Sequence, residues 1–226
     1  MLWIKRVIFL AALLPMAICQ AGEDKYQAGV HYEILPQPVR TADPKKIEVN
    51  EVFSYSCSHC YSFESELHPW VEKLPEDVDF QRTPAVWAPA LEPAARAYYT
   101  AALLKALDQV HTPLFEAIHL EKKALKNEQD FADIFVAEGI DREKFSQAYN
   151  SFGMTSMVNQ AKARIRSYRV QGTPEIVVNG KYRVSTRKAG GFSGVLKVAE
   201  FLIEKERAEI AQNTSAESKP LSTSLK

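Results

Sequence analysis

The chain predicts an α/β protein in which a small mixed β-sheet is interrupted by an inserted block of helices. Three observations carry that reading. A β-rich run, Ile47 to Tyr55, gives way after Cys60 to helical spacing. Residues 90–168 are almost wholly helical in pattern. Strand character then returns at Glu175-Ile176-Val177-Val178, followed by Asn179-Gly180, a pair that favours a tight hairpin because both residues tolerate positive φ.

In chain order, Val30 to Leu35 reads as an edge strand, because Pro36 and Pro38 limit further pairing. Ile47, Val49, Val52, Phe53 and Tyr55 form a stronger strand that leads straight into Cys57. Phe63, Leu67, Trp70, Val71 and Leu74 recur at three- and four-residue intervals, and Pro75 ends that helix. Val78 to Trp87 is a second core strand, with Pro84 at a bend or at its end. In the helical block, Ala94 to Leu107 is one helix and Thr112-Pro113 opens the next. Asp130 to Ala137 and Asp141 to Phe152 follow, divided by Gly139, and then Ser156 to Tyr168. Lys181 to Val184 is the returning hairpin strand, and a last helix starts near Ser193 with Val195, Val198, Phe201 and Leu202 inward. From Asn213 the chain is poor in apolar residues and is expected to be a disordered tail.

Composition narrows the function. With 226 residues, 46% of them hydrophobic, the chain can bury a sizeable core without disulfide staples. Equal counts of basic and acidic residues give no electrostatic case for a nucleic-acid partner. Lys5 and Arg6 precede an apolar run from Val7 to Ile18 that is short for a membrane span, which takes ~20 residues. This is the pattern of an export signal, cut after Ala21 with Cys19 and Ala21 at the small-residue positions. An uncleaved anchor is the alternative. Lys5 and Arg6 are the only charges in residues 1–21, so cleavage takes the net charge from zero to −2.

Of three cysteines, Cys19 would leave with the signal, and Cys57 and Cys60 would enter an oxidising compartment. Their loop is too short for much structural stabilisation, since that grows with loop length. The pair is therefore a candidate for redox chemistry. A thiolate is the reactive species, and the start of a helix offers Cys57 unpaired N–H groups and a positive dipole end. His59 adds a donor, and Cys60, one turn inward, is expected to be more buried and higher in pKa. A zinc site would need further ligands, and His31, His68, His111 and His119 are scattered without ligand spacing. No metal and no cofactor is expected.

Phe53-Ser54-Tyr55-Ser56-Cys57-Ser58-His59-Cys60-Tyr61-Ser62-Phe63-Glu64 resembles the active-site region of the DsbA family of periplasmic dithiol oxidases. Leu74-Pro75-Glu76, Thr112 to Glu116, Gly172-Thr173-Pro174 and Val178 to Tyr182 look like further landmarks of that family, and the likeness covers nearly all of the mature chain. The resemblance implies a thioredoxin-like domain built from residues 22–88 and 169–212, with 89–168 as the helical insertion, 1–21 as the signal and 213–226 as the tail. It implies a cis bond at Thr173-Pro174, facing Cys57 and receiving a substrate segment as an added strand. Ser58, Thr173 and Pro174 would then meet substrate. Glu51 becomes a buried proton acceptor for Cys60, and Arg82 that acid's basic partner; without the resemblance, both read as ordinary solvated residues. Ser58-His59 departs from the common Pro-His dipeptide, which bears on the redox potential rather than on the reaction class.

The activity so implied is a thiol:disulfide oxidoreductase that donates the Cys57–Cys60 disulfide to reduced exported proteins in the periplasm. A DsbB-type membrane quinone reductase would reoxidise it, and the chain would act as a monomer. Two readings stand beside it: an isomerase or reductase of the same fold, and a peptide-binding chaperone whose groove lies near Pro174.

Overall fold

The structure, a computed structural model, describes residues 25–217. The expected signal, with Cys19, and the tail beyond Glu217 lie outside the described residues. Five strands form one mixed sheet: β1 (Glu33–Ile34), β2 (Ile47–Phe53), β3 (Val78–Pro84), β4 (Glu175–Val178) and β5 (Tyr182–Ser185), in the order β1-β5-β4-β2-β3. β2 pairs parallel with β3 and antiparallel with β4, and the other pairings are antiparallel. The fold is the mixed sheet with added helices that the sequence predicts.

β2 is the central strand, and every residue in it is buried. Side chains alternate across a strand, so its two faces are committed to different neighbours. Ile47 and Val49 pack with Ile176, Val178 and Val184 against α1 (Ser58–Val71) and α8 (Phe192–Glu217). Val52, on the opposite face, packs with Val177, Ile165 and Tyr168. Glu51 falls on the α1 side, a placement set by strand parity alone.

At the hairpin between β4 and β5, Asn179 and Gly180 have φ of 49° and 61°. A Cβ at Gly180 would lie 2.0 Å from the Val39 carbonyl oxygen, so glycine is required there for space as well as for dihedral.

The helical block is α2 (Glu92–Leu103), α3 (Leu107–His119), α4 (Glu128–Ala137), α5 (Arg142–Tyr149) and α6 (Phe152–Ser167). It is stitched by an aromatic core of Phe115, Phe131, Phe135 and Phe145, each fully buried. α6 serves two masters: Met154 and Val158 pack in the block with Ala95, while Ile165, near its end, covers the sheet.

Several boundaries move from their expected places. The expected Ala94–Leu107 helix ends at Leu103, because Lys105 takes φ 55° and breaks the run. Thr112-Pro113 does not open a helix. α3 starts six residues before Pro113, which lies inside it, and burial of Val110, Leu114 and Phe115 offsets the backbone bond that proline cannot make. α1 stops at Val71 instead of running to Pro75, since Pro69 already removes a donor near its end. α6 begins at Phe152 where Ser156 was expected; Phe152 is fully exposed, and only Met154 of that turn is buried. A one-turn helix, α7 (Thr186–Ala189), escaped the sequence reading. α8 runs past Asn213 to Glu217, so the expected disordered tail is helical at its start.

Candidate active site

The site grows from the end of β2. After Phe53 the chain turns through Ser54 to Ser56, with the Cys57 N–H donating to the Ser54 carbonyl at 3.0 Å. Cys57 is the N-cap residue of α1, in extended conformation (φ −89°, ψ 114°). Both cysteines are free thiols, Cys57 half-buried and Cys60 wholly buried one turn inside the helix.

The two sulfurs are electrostatically opposite. Cys57 falls to about 5: the Cys60 thiol hydrogen-bonds to it, and the N–H groups of Cys60 and His59 are turned toward it, which together outweigh its partial burial. Burial pushes Cys60 well above the thiol range, reinforced by its hydrogen bond to Cys57 and by the nearby Glu51 carboxylate. A thiolate at Cys57 with a protonated Cys60 behind it is the arrangement expected from the helix start.

The loop before β4 closes the front of the site. Thr173-Pro174 is cis, and the Cys57 sulfur lies 3.3 Å from the Thr173 carbonyl oxygen. Pro174 is buried, and beside it a cavity of about 260 Å³ is lined by Gln171 to Glu175 and Arg183 among others. Ser58 and His59 sit exposed in the first turn of α1. The His59 backbone N–H is turned toward the Cys57 sulfur, and its side chain is exposed.

Behind Cys60 lies a charged cluster. Glu51 is fully buried, and Arg82 Nε donates to its Oε2 at 2.9 Å. Glu51 Oε1 has no hydrogen-bond partner. Burial, only partly opposed by Arg82, raises the Glu51 carboxyl to about 7. The register explains the pairing, since β2 and β3 are parallel neighbours with Glu51 opposite Arg82. Arg82 is therefore no solvated strand residue, and the partner expected from the family resemblance is in place.

Sequence reading missed the rest of the cluster. Arg82 Nη2 also donates to both oxygens of Glu64, at 3.3 and 3.1 Å. His111 Nε2 lies 3.5 Å from Glu64 Oε1, and its Nδ1 is 2.7 Å from the Tyr55 hydroxyl. Glu64 had a legible signal: it stands four residues after Cys60, one helical turn on. His111 had none, because only the docking of α3 on α1 brings it there. His119, from the end of α3, bonds the Tyr55 carbonyl at 2.8 Å and stacks on Tyr61 at 5.2 Å.

Comparison with known proteins agrees with this geometry. A family profile described as a DSBA-like thioredoxin domain matches residues 73–197. The thiol:disulfide interchange protein DsbA of Pseudomonas aeruginosa is 43% identical over 206 residues, covering 90% of this chain and 98% of that one. The protein of the same name from Azotobacter vinelandii is 41% identical, covering 80% and 84%. The crystal structure of Pseudomonas aeruginosa DsbA superposes with a TM-score of 0.81 at 43% identity, over 84% of this chain and 98% of that one. A cysteine pair split between a helix N-terminus and a buried turn, on a sheet shared with those structures, places this chain in the DsbA family of thiol:disulfide oxidoreductases.

Proposed function

We propose that the enzyme is a dithiol oxidase in which Cys57 exchanges with substrate and Cys60 resolves. The observation that carries this is the opposite poise of the two thiols, one stabilised as thiolate at a helix start and one protonated and buried. Stabilising the Cys57 thiolate stabilises the reduced enzyme, so the Cys57–Cys60 disulfide is readily given away.

In the forward reaction a substrate thiolate attacks the Cys57 sulfur and the Cys57–Cys60 bond breaks. Cys60 leaves as a thiolate that its buried surroundings disfavour. Glu51, poised near 7, gives it a proton, and the ionised carboxylate is held by Arg82. The substrate's second thiolate then attacks its own mixed-disulfide sulfur. Cys57 departs as a thiolate, the substrate has lost two electrons, and the enzyme holds them as a dithiol. The Thr173-Pro174 loop, whose carbonyl meets Cys57, is the docking edge for the substrate backbone, with Ser58 exposed beside it. Substrates are reduced exported proteins in the periplasm, a DsbB-type membrane quinone reductase takes the two electrons, and the enzyme acts as a monomer. Among the described residues no helix is long and apolar enough to cross a membrane.

Redox equilibration of the mature protein in graded glutathione buffers tests the direction of transfer. A potential well above the glutathione couple is expected. A strongly reducing, thioredoxin-like value would make the enzyme a reductant instead. Cys57→Ser abolishes oxidation of a reduced substrate protein, and full activity in that variant would overturn the assignment.

A further inference from the structure

The Glu51–Arg82 pair does not stand alone. Arg82 serves two carboxylates, Glu51 through Nε and Glu64 through Nη2, so the charge given to one is withheld from the other. Glu64 also faces His111, whose ring is bonded at Nδ1. The Tyr55 hydroxyl lies 2.7 Å from Nδ1, and with that O–H as the donor the ring proton sits on Nε2, which lies 3.5 Å from Glu64 Oε1 and makes no hydrogen bond in this conformation. Phe53, Tyr98 and Phe115 pack their rings around the imidazole at 5.2 to 6.2 Å, so it is clamped in this orientation.

We propose that His111 is a positioning residue of the redox site: by holding Glu64 it leaves Arg82 to Glu51, and so sets the pH at which Cys60 exchanges its proton. The groups facing His111 are Glu64 and the more distant His68 from α1, Tyr55 from the loop after β2, Arg82 from β3 and Tyr98 from α2. Burial keeps the imidazole below its ordinary pKa. His111 and Arg82 together hold Glu64 below the usual carboxylate range in spite of its burial. Glu64 also borders a surface cavity of about 600 Å³ lined by Tyr61, Ser65, His68 and Glu116 among others, so the cluster meets solvent at this carboxylate. Removing the His111 donor leaves Glu64 to draw more fully on Arg82. Glu51 then ionises less readily, and the step that needs its carboxylate moves to higher pH.

The inference rests on the reading of Glu51 as the proton partner of Cys60. The test is stopped-flow release of glutathione from its mixed disulfide with Cys57, driven by Cys60, measured from pH 5 to 9. In this direction Cys60–SH passes its proton to Glu51 and attacks the Cys57 sulfur, and glutathione leaves as thiolate. The wild type is expected to show a midpoint near 7, which Glu51→Gln removes; a midpoint that survives in Glu51→Gln overturns the Glu51 reading itself. With that reading intact, His111→Leu raises the midpoint by roughly 0.5 to 1 pH unit. His111→Gln, which can still donate to Glu64 and accept from Tyr55, stays with the wild type. Glu64→Gln lowers the midpoint, and adding His111→Leu to it changes nothing further. An unmoved midpoint in folded His111→Leu, or an equal shift with and without Glu64, overturns the proposal. Should His111→Leu fail to fold, an unmoved midpoint in Glu64→Gln overturns it.

Discussion

At the residue scale, the chemistry of this enzyme comes down to two thiols three positions apart whose surroundings pull them in opposite directions. Cys57 is lowered from the ordinary thiol value to about 5 in the folded dithiol form. A depressed folded pKa adds stability that grows as pH rises from the folded value toward the unfolded one, and it is lost as pH falls back through the folded value. The reduced form is therefore expected to gain stability over the oxidised form between about pH 5 and pH 9, and to lose that gain below 5. Urea unfolding of both forms at pH 4.5 and 7.5 checks this; a gap between them that does not widen with pH would place the thiolate elsewhere. Cys57 is half exposed, so solvent screening trims the size of the effect and leaves its sign. Of the residues behind the thiols, Glu64 could be reached from the sequence by helical spacing, while His111 could not. A histidine among Val110, Leu114 and Phe115 reads as one more core-facing position until α3 is docked.

At the element scale, the best-specified piece was the one with the least freedom. Asn179-Gly180 predicts a hairpin, and the hairpin is there with both residues at positive φ. Gly180→Ala adds a Cβ 2.0 Å from the Val39 carbonyl oxygen and forces an L residue into a dihedral it resists. It should cost more than about 1 kcal/mol, read as a lower urea midpoint with an unchanged slope. The helix starts were less legible. Asn127 and Asp130 form a reciprocal capping box at α4, yet the sequence reading began that helix at Asp130, because polar caps carry no apolar periodicity. Pro113 misled in the other direction. It reads as a helix opener from local chemistry, but burial of its neighbours carries α3 through it.

At the scale of the whole molecule, α6 ties the inserted helices to the sheet. Its early residues pack in the insertion and its last turns cover β2 and β4. The boundary expected at residue 168 therefore marks a change of chain direction rather than a gap between two cores. Unfolding is expected to be a single cooperative event. Ile165→Ala, which empties part of the shared core, should lower stability by about 2–4 kcal/mol and shift two probes together, helix content by circular dichroism and alkylation of the buried Cys60. Separate midpoints would mean that the insertion unfolds independently of the sheet.

The sequence by itself determined the cysteine pair, the strand-to-helix junction that carries it, the helical insertion and the tight hairpin. Each depends on residues near one another in the chain, where spacing and dihedral preference act directly. Tertiary structure alone decided which carboxylate lies under Cys60, which arginine holds it, and which histidine lies beside that arginine's other partner. Glu51 is buried because β2 is central in the sheet, Arg82 meets it through parallel pairing, and His111 arrives on a helix packed from a distant part of the chain. A charge removed from water takes its properties from whatever the fold sets within a few ångströms of it, and separation along the sequence holds no record of that distance.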